Sequence, residues 1–195
     1  MNRIDVINSL IQKYGLKKYC EIGVQAGDCF SNVICEHKVG VDPDLSSKAT
    51  IFKTSDEFFE TLDEKFDIFW IDGLHHSEFV YRDILNALEH LNEGGFICCH
   101  DMLPTNKFMQ EIPLTSQCEW TGDCWRAFVK LRTERNDLQM NAINTDWGTS
   151  IIVKGSQELL VIDKPLEDLT YEDFEQNKQQ WLNVISVDEF KQKFL

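Results

Sequence analysis

The sequence has no long uncharged stretch and little positive charge. Its runs without a charged residue are far shorter than a membrane-spanning helix requires, and its first residues contain no signal-peptide core. Lys and Arg number 19 against 33 Asp and Glu, so the net charge is −14. A surface that follows a phosphate backbone or an anionic membrane needs an excess of basic residues. We therefore expect a cytoplasmic protein without a nucleic-acid or membrane partner.

Paired cysteines are also missing. The seven cysteines are an odd number, and no two of them form a C-x-x-C pair. This pattern indicates neither a disulfide framework nor a zinc site. Buried cysteine behaves as a small hydrophobic residue, so we expect reduced thiols in the core.

Internal repeats, low-complexity segments and domain linkers are absent too. A chain of 195 residues with 43% hydrophobic residues is long enough for one domain with a full core. We predict a single domain over residues 1–195, with a core of about 15–155 and a more acidic C-terminal extension of about 156–195. The extension offers a short strand at 159–162 and helices capped by Thr170 and Ser186.

Apolar strands alternate with amphipathic helices along the core, and Ser55 and Ser77 can each cap one of these helices. Such β/α alternation predicts an α/β fold, a Rossmann-like doubly wound sheet with helices on both faces. We expect seven strands, mostly parallel, with the last two closing the sheet as an antiparallel hairpin. The predicted strands are 18–24, 38–42, 49–53, 66–72, 96–100, 139–144 and 149–154.

The run C-E-I-G-V-Q-A-G, which begins at Cys20, is the most informative motif. Gly23 and Gly27 allow the backbone to turn sharply and to approach a ligand closely. Asp42 follows Gly23 by 19 residues at the tip of the next strand, where a carboxylate can accept both hydroxyls of a ribose. The spacing is E-x-G-x-x-x-G, and Glu21 would repel a pyrophosphate. A carboxylate there suits a positively charged cofactor such as S-adenosylmethionine (SAM).

Acids and imidazoles follow two later strands. The strand at 66–72 ends in D-G-L-H-H, which includes Asp72 and His75, and the strand at 96–100 is followed by Asp101 after His100. Because ligands bind outside the carboxyl ends of strands in open α/β sheets, we expect these groups to meet at the cofactor site.

Seven segments together resemble class I SAM-dependent methyltransferases over about residues 15–155. More narrowly, they resemble the small group with an I-D-G-x-H strand end and a later H-D, an arrangement shared by macrolide-sugar O-methyltransferases. The segments are Y-C-E-I-G-V-Q-A-G, V-G-V-D-P-D, S-D-E-F-F, F-D-I-F-W-I-D-G-L-H-H, R-D-I-L-N-A-L, L-N-E-G-G-F-I-C-C-H-D and G-D-C-W-R-A-F.

The resemblance implies an O-methyltransferase that binds SAM and a small hydroxylated acceptor such as a sugar or glycoconjugate. It places Glu21 and Gly23 at the methionine end of the cofactor and Asp42 at the ribose. It places Ser55 and Asp56 near the adenine, although plain helix capping explains these two equally well. The implied cofactor-binding residues are Glu21, Gly23, Gly27, Asp42, Ser55, Asp56 and Asp72.

By the same resemblance, Asp72 and Asp101 bind Mg²⁺ and His75 is the general base. A divalent cation and an imidazole both favour deprotonation of a hydroxyl nucleophile. His100 stands where metal-binding relatives place another carboxylate, and Mg²⁺ prefers oxygen ligands. With Asp72, Asp101 and His100 as the ligand set, three alternatives stay open: a weak Mg²⁺ site, a Mn²⁺ site, or catalysis without metal.

Two other functions remain alternatives. His75, His100 and Asp72 could form the facial triad of a metal-dependent oxygenase or hydrolase, or the chain could bind SAM without turnover. The segment 102–120 reads as a long loop over the substrate site. His76 is a secondary candidate, and Trp125 and Trp147 would serve either packing or sugar stacking. The extension could cap the sheet edge or contribute to a homodimer.

Overall fold

Six strands and seven helices make up the computed structural model, which describes residues 1–115 and 119–195. The strands are β1 (Lys18–Ile22), β2 (His37–Val41), β3 (Phe66–Ile71), β4 (Leu91–Cys99), β5 (Leu138–Ile143) and β6 (Thr149–Lys154). The helices are α1 (Arg3–Tyr14), α2 (Asp28–Asn32), α3 (Ser55–Glu60), α4 (Ser77–Glu89), α5 (Cys124–Glu134), α6 (Tyr171–Trp181) and α7 (Val187–Phe194). Short 3-10 turns lie at Lys107–Gln110 and Leu166–Asp168.

One sheet holds all six strands in the order β2-β1-β3-β4-β6-β5. Strands β1 to β4 are parallel, whereas β6 runs antiparallel to both β4 and β5. This confirms an α/β Rossmann-like sheet that is mostly parallel and closes with an antiparallel hairpin. The parallel strands end on one edge, so the residues that follow them lie together.

The predicted strand at 49–53 is wrong, and the sheet has six strands rather than seven. Only Ile51 pairs with the sheet, through a single bridge to Val41. The Thr50 hydroxyl binds both the amide and the carbonyl of Gly40, so a side chain occupies the outer edge of β2 where a ladder would continue. Residues 159–162 also have no regular structure.

Two helix starts differ from the expected ones by one residue. Thr54, not Ser55, caps α3, because Thr54 and Glu57 form a reciprocal capping box. His76, not Ser77, precedes α4, and Ser77 instead donates its amide and hydroxyl to Asp123. The two predicted caps in the C-terminal extension are confirmed, and both form capping boxes, Thr170 with Asp173 and Ser186 with Glu189.

Two hydrophobic clusters cover the two faces of the sheet. Helices α1, α2 and α7 pack on one face with Ile7, Leu10 and Phe190 as central side chains. Helices α3 to α6 pack on the other face around Phe128 and Ile84. The sheet is therefore buried on both sides, which explains why the residues of β3 are almost continuously apolar.

The C-terminal extension packs against the core at both faces. Trp181 of α6 stacks on Trp125 with ring centroids 6.2 Å apart, and Arg132 donates to the carbonyls of Gln180 and Trp181. Ile185 bridges to Ile143 on the edge strand β5. The extension thus covers the outer edge of the sheet. No helix in the described ranges is both long and apolar enough to cross a bilayer.

Candidate functional site

Two cavities open at the carboxyl ends of β1 to β4. The acidic cavity has a volume of about 290 Å³, and the apolar cavity one of about 410 Å³. Gly23, Gln25 and Asp72 line both. The acidic cavity is lined chiefly by Arg3, Glu21, His75, His100, Asp101, Trp120 and Trp147. The apolar cavity is lined chiefly by Val41, Asp42, Pro43, Ser55, Asp56, Leu74, Phe79 and Asp83.

Gly23 brings the ends of β1 and β3 into contact. Its φ is +87°, and a Cβ atom there would lie 2.1 Å from the carbonyl oxygen of Asp72. Any other residue would separate the two strand ends, because real Cβ atoms do not approach a backbone oxygen so closely. The close contact that this glycine permits is with the strand end of Asp72, and the predicted approach to a ligand stays a prediction.

Asp42 holds the loop that follows β1. Its Oδ2 accepts hydrogen bonds from the amides of Val24 (3.0 Å) and Gln25 (2.9 Å), and its Oδ1 accepts one from the amide of Asp44 (2.9 Å). Gly27, in the left-handed region at φ +80°, then starts α2. The carboxylate lines the apolar cavity while it fixes the loop between the two cavities.

Ser55 and Asp56 line the apolar cavity. Asp56 accepts two hydrogen bonds from Arg82, at 3.2 and 2.7 Å. The Arg82 guanidinium also covers the Phe79 ring, 4.5 Å from its centroid. The Asp56 carboxylate in the lining of this cavity is thus already paired with a guanidinium.

Glu21 is the buried carboxyl of the acidic cavity. The Tyr19 hydroxyl, two residues back on the same face of β1, donates to its Oε2. Burial raises the pKa of Glu21 to about 7, with the Tyr19 hydroxyl acting in the opposite direction and the Asp72 charge adding to the rise. A cationic group in the cavity would favour the ionised form of this carboxyl.

Asp72, His75 and Asp101 converge in the acidic cavity. Nε2 of His75 lies 3.3 Å from Oδ1 of Asp72 and 3.3 Å from Oδ2 of Asp101. Asp101 reaches this position with φ +62°, a conformation that Asp tolerates better than most residues. The structure therefore brings together the three side chains that the sequence indicates as catalytic.

A backbone carbonyl determines how His75 is oriented. Nδ1 of His75 lies 3.0 Å from the carbonyl oxygen of Trp120, which can only accept, so Nδ1 carries the proton. The Trp120 ring stacks on the imidazole at 5.3 Å. Gly122 permits this contact, since a Cβ there would lie 1.7 Å from the His75 carbonyl oxygen. The Nε2 atom therefore faces the two carboxylates.

The charges of this cluster shift its protonation equilibria. Burial alone would lower the pKa of His75, but the Asp72 hydrogen bond and the Asp101 charge outweigh it and raise that pKa. Burial alone would raise the pKa of Asp72, but hydrogen bonds from His100 and His75 hold it well below its usual range. The ionised carboxylate of Asp72 and the imidazolium form of His75 thus stabilise each other.

His100 lines the acidic cavity but is buried among carboxylates. Its Nδ1 lies 3.1 Å from Oδ2 of Asp101, and its Nε2 lies 3.8 Å from Oδ1 of Asp146. Burial lowers the pKa of His100, but hydrogen bonds to Asp101, Asp146 and Asp72 raise it overall. The Arg3 guanidinium, whose Nη1 lies 2.6 Å from Nε2, can only donate, so it competes with a proton on that nitrogen. Both ring nitrogens of His100 are thus engaged by protein groups, Nδ1 by Asp101 and Nε2 by Arg3.

The donor set suits a divalent cation with His75 in place of His100. One ligand atom from each of Asp72, His75 and Asp101 lies within 4.8 Å of the others. Two carboxylates with one imidazole match Mn²⁺ and similar ions better than Mg²⁺, which prefers oxygen alone. The two acids of the predicted ligand set are therefore together, and the imidazole grouped with them is that of His75 rather than that of the predicted His100.

Arg3, Trp120 and Asp146 were missed in the sequence. Arg3 lies 97 residues from His100 in the chain, and no local pattern relates them. Asp146 lies in the T-D-W-G turn with a φ of +48°. The turn residues alone do not indicate that its side chain lies beside His100. Trp120 acts through its carbonyl, which carries no side-chain signature.

The other aromatic and imidazole candidates separate into packing and cavity residues. Trp125 is fully buried, and its indole donates to Oε1 of Gln110 at 2.7 Å, so it packs in the core. Trp147 lines the acidic cavity. His76 precedes α4 and contacts the Trp120 ring edge-on at 6.0 Å. In the predicted loop, residues 116–118 lie outside the described residues.

Residues 43–102 match the profile of a family described as a methyltransferase domain. The segment extends from the residue after Asp42 to the residue after Asp101, so it includes Asp72 and His75. No curated protein matches the sequence.

Solved structures share the fold at low sequence identity. The cofactor-bound Rv0187 protein from MTB is 14% identical, with a TM-score of 0.62 and 80% of each chain covered. An O-methyltransferase from Bacillus cereus in complex with SAH (S-adenosylhomocysteine) is 15% identical, with a TM-score of 0.59, covering 78% of this chain and 80% of that one. The O-methyltransferase TomG from Streptomyces achromogenes, in complex with SAM, is 13% identical, with a TM-score of 0.57. The match covers 79% of this chain and 80% of that one.

At these identities the structural likeness establishes the fold. The chain has the α/β Rossmann-like fold of these methyltransferases, with six strands. Together with the methyltransferase-domain match over residues 43–102, this fold supports a SAM-dependent methyltransferase.

Proposed function

We propose that the chain is an O-methyltransferase that transfers the methyl group of SAM to a hydroxyl of a small acceptor. The observation that carries this proposal is the Asp72–His75–Asp101 cluster, which lines the acidic cavity and reaches the apolar cavity through Asp72. An apolar cavity for a nucleoside and an acid–base group beside it are the two parts that such a transfer needs.

In this proposal the adenosine of SAM occupies the apolar cavity and the methionine end reaches past Gly23 into the acidic cavity. Asp42 uses three of about four lone-pair directions on backbone amides, so one acceptor direction remains for a ribose hydroxyl. Glu21 lies on the methionine side, where a carboxylate favours the positive charges of the sulfonium and amino groups.

His75 is the proposed general base. SAM supplies an electrophilic methyl group, and the acceptor hydroxyl must lose its proton as the new bond forms. Because Nδ1 of His75 donates to the Trp120 carbonyl, the lone pair on Nε2 is the one that takes this proton. Asp72 and Asp101, both 3.3 Å from Nε2, stabilise the resulting imidazolium.

A divalent cation would be held by Asp72, Asp101 and Nε2 of His75. When bound, it would lower the pKa of a coordinated hydroxyl. A nitrogen that ligates a metal cannot also take a proton, so a bound ion and a His75 base are mutually exclusive. Comparing turnover with EDTA and with added Mn²⁺ or Mg²⁺ distinguishes the two arrangements.

A sugar or glycoconjugate is the acceptor class we propose. The acidic cavity joins carboxylates, which accept hydrogen bonds from hydroxyls, with the rings of Trp120 and Trp147, which can cover a sugar face. A cytoplasmic location and a homodimer stay predictions, which cell fractionation and gel filtration would check.

The cofactor is tested by calorimetric titration of SAH into the purified protein, once with EDTA and once with excess Mg²⁺. We expect micromolar binding in both titrations, because the apolar cavity and Asp42 do not depend on the cation. Absence of binding in both would refute the SAM-dependent function.

The base is tested by transfer from methyl-labelled SAM to a panel of sugars and phenols. We expect His75→Gln to lower kcat by about 10²- to 10⁴-fold without changing the affinity for SAH. The matched control is His76→Gln, since the neighbouring His76 does not contact Asp72 or Asp101 among the described residues. Full turnover by His75→Gln would rule out this mechanism. Binding of SAH without transfer to any acceptor would favour a non-catalytic module.

A metal-dependent oxygenase or hydrolase is the second candidate, because the cluster can ligate an ion by itself. The predicted facial triad used His75, His100 and Asp72, whereas the compact group in the described chain has one imidazole and two carboxylates. One equivalent of copurified iron or zinc, without SAH binding, would favour this candidate over the methyltransferase.

A further inference from the structure

Trp147 occupies a turn position that usually belongs to glycine. The chain reverses between β5 and β6 at residues 145–148, where the amide of Gly148 donates to the carbonyl of Thr145 at 2.8 Å. Both central residues of this turn lie in the left-handed region, Asp146 at φ +48° and Trp147 at φ +53°. Hairpin turns with two left-handed residues strongly prefer Asn or Asp followed by Gly. A bulky side chain at the second position is therefore strained.

The backbone contacts of this turn do not explain the choice of tryptophan. The carbonyl of Trp147 accepts a hydrogen bond from the amide of Leu103 at 2.7 Å, and the carbonyl of Gly148 accepts one from the amide of Met102 at 3.1 Å. These bonds fix the turn against the residues that directly follow Asp101. Any residue at position 147 could make them, so the indole ring must be explained by what it contacts.

The ring of Trp147 lies in the acidic cavity without a stacking partner. Three of the five tryptophans are buried in the core, namely Trp70, Trp125 and Trp181. Trp120 has one face against His75, and its indole donates to the carbonyl of Glu111 at 2.8 Å. Trp147 is half-buried, lines the cavity, and meets the His100 ring edge-on at 6.2 Å. Trp147 is thus the tryptophan whose ring is left for a ligand.

We propose that Trp147 is a specificity residue for the acceptor and that its ring stacks on the apolar face of a pyranose. This inference rests on the proposed function, because it requires that the acceptor occupy the acidic cavity. A pyranose presents C–H groups on its face, which pack on an aromatic ring, and hydroxyls at its rim, which can donate to carboxylates such as Asp101. An open-chain polyol has the hydroxyls but no such face. The acceptor class is therefore a cyclic sugar.

The strained turn agrees with this role. Residues in sparsely populated backbone conformations cluster at functional sites, where the surrounding structure maintains them. Glycine at position 147 would relieve the strain but would carry no ring. Stability and acceptor binding therefore favour different residues at this position, which separates a functional ring from one that only packs.

The test measures sugar binding by saturation-transfer NMR, with the protein saturated with SAH. The probes are the methyl glycosides of glucose, galactose and mannose, each compared with its open-chain alditol. The wild-type protein should bind at least one glycoside about tenfold more tightly than the matching alditol, the effect of one aromatic stacking contact. In Trp147→Gly this preference should disappear, whereas the affinity for SAH and the urea midpoint should not fall. In Trp147→Phe the preference should persist, because a ring remains.

The matched control is Asn183→Gly. Asn183 also has a positive φ, +45°, but lies outside both cavities, so this variant should keep the wild-type preference.

Each outcome decides the proposal. Equal wild-type affinities for every glycoside and its alditol would overturn it even if Trp147→Gly did not fold. A preference that survives in Trp147→Gly, or that is lost in Asn183→Gly, would also overturn it. A lower urea midpoint in Trp147→Gly would assign the ring to packing instead. If the wild-type protein did not bind SAH, the proposed function itself would fail, whereas SAH binding without any glycoside preference would refute this inference alone.

Discussion

The acidic and apolar cavities share one wall but differ in the chemistry of their remaining surfaces. Glu21, His75 and Asp101 give the acidic cavity several ionisable groups in mutual contact. The apolar cavity has Val41, Leu74 and Phe79 in its lining. The difference suggests a division of labour, with proton transfer on one side and nucleoside binding on the other. Substitutions on each side should therefore separate turnover from affinity, and a substitution in the shared wall should affect both.

Gly23→Ala should have the largest effect, because it changes the shared wall. The new Cβ would lie 2.1 Å from the Asp72 carbonyl oxygen, in a backbone with φ +87°. We expect the free energy of unfolding to fall by about 2–4 kcal/mol, with loss of both SAH binding and turnover. Urea denaturation and calorimetry measure the two effects.

Gly94→Ala is the matched control for that substitution. Gly94 also has a positive φ, +75°, but a Cβ there would meet nothing within 4 Å. This substitution should lower the free energy of unfolding by about 1–2 kcal/mol through backbone strain, without any loss of SAH affinity. Unchanged SAH affinity in Gly23→Ala would show that the two cavities do not depend on this wall.

Asp101→Asn should act on turnover alone. Asn tolerates the left-handed backbone at this position but leaves the imidazolium of His75 without one of its carboxylates. We expect kcat to fall by about 10²–10³-fold at unchanged SAH affinity. Glu119→Gln, an exposed carboxyl of the same cavity, is the control.

The pH dependence of that variant sharpens the prediction. The proposed mechanism requires neutral His75, so kcat/KM should fall as the pH drops through the pKa of His75, which is raised in the wild-type protein. Because Asp101 contributes to that rise, the acidic limb in Asp101→Asn should move to lower pH. A limb that stays in place would argue against His75 as the titrating base.

Phe79→Ala should act on affinity alone. Loss of an aromatic wall beside the base should raise the Kd for SAH about tenfold and leave kcat at saturating SAM unchanged. Phe108→Ala is the control, since Phe108 is likewise paired with a cation, Lys107, but lies outside both cavities. A drop in kcat equal to that of Asp101→Asn would contradict the division of labour.

Glu21→Gln should have the smallest effect, on the pH dependence of stability. The folded pKa of Glu21 is raised from 4.5 to about 7, so the folded state binds more protons than the unfolded state between these values. Stability is therefore lost as the pH rises through this window. Between pH 6 and 8, the wild-type free energy of unfolding should fall by about 1–2 kcal/mol more than that of Glu21→Gln.

Tyr19→Phe tests the same group in the opposite direction. The Tyr19 hydroxyl lowers the pKa of Glu21, so its removal should raise that pKa further and make the loss of stability with pH steeper. Equal pH slopes in all three proteins, measured by urea denaturation, would show that Glu21 does not titrate in this window.

Residues that carry their own local signal were predicted well from the sequence. Gly23 and Asp42 stand at strand ends whose apolar runs are unmistakable, and the topology of a parallel sheet brings such ends together. The capping boxes at Thr170 and Ser186 depend on contacts three residues apart. The prediction of a strand at 49–53 was wrong, although the segment has the apolar pattern of a strand. The Thr50 hydroxyl instead accepts a hydrogen bond from the Gly40 amide at the edge of β2.

The sequence by itself determined the α/β fold, the edge at which the site lies, and the presence of Asp72, His75 and Asp101 there. Only the tertiary structure decided which histidine faces the two carboxylates and which is enclosed by them. That choice depends on the Trp120 carbonyl at His75 and on Arg3 and Asp146 at His100, which are 45, 97 and 46 residues distant in sequence. Such contacts follow no local periodicity, because packing between distant segments, not the spacing of side chains along one element, brings the groups within hydrogen-bond reach.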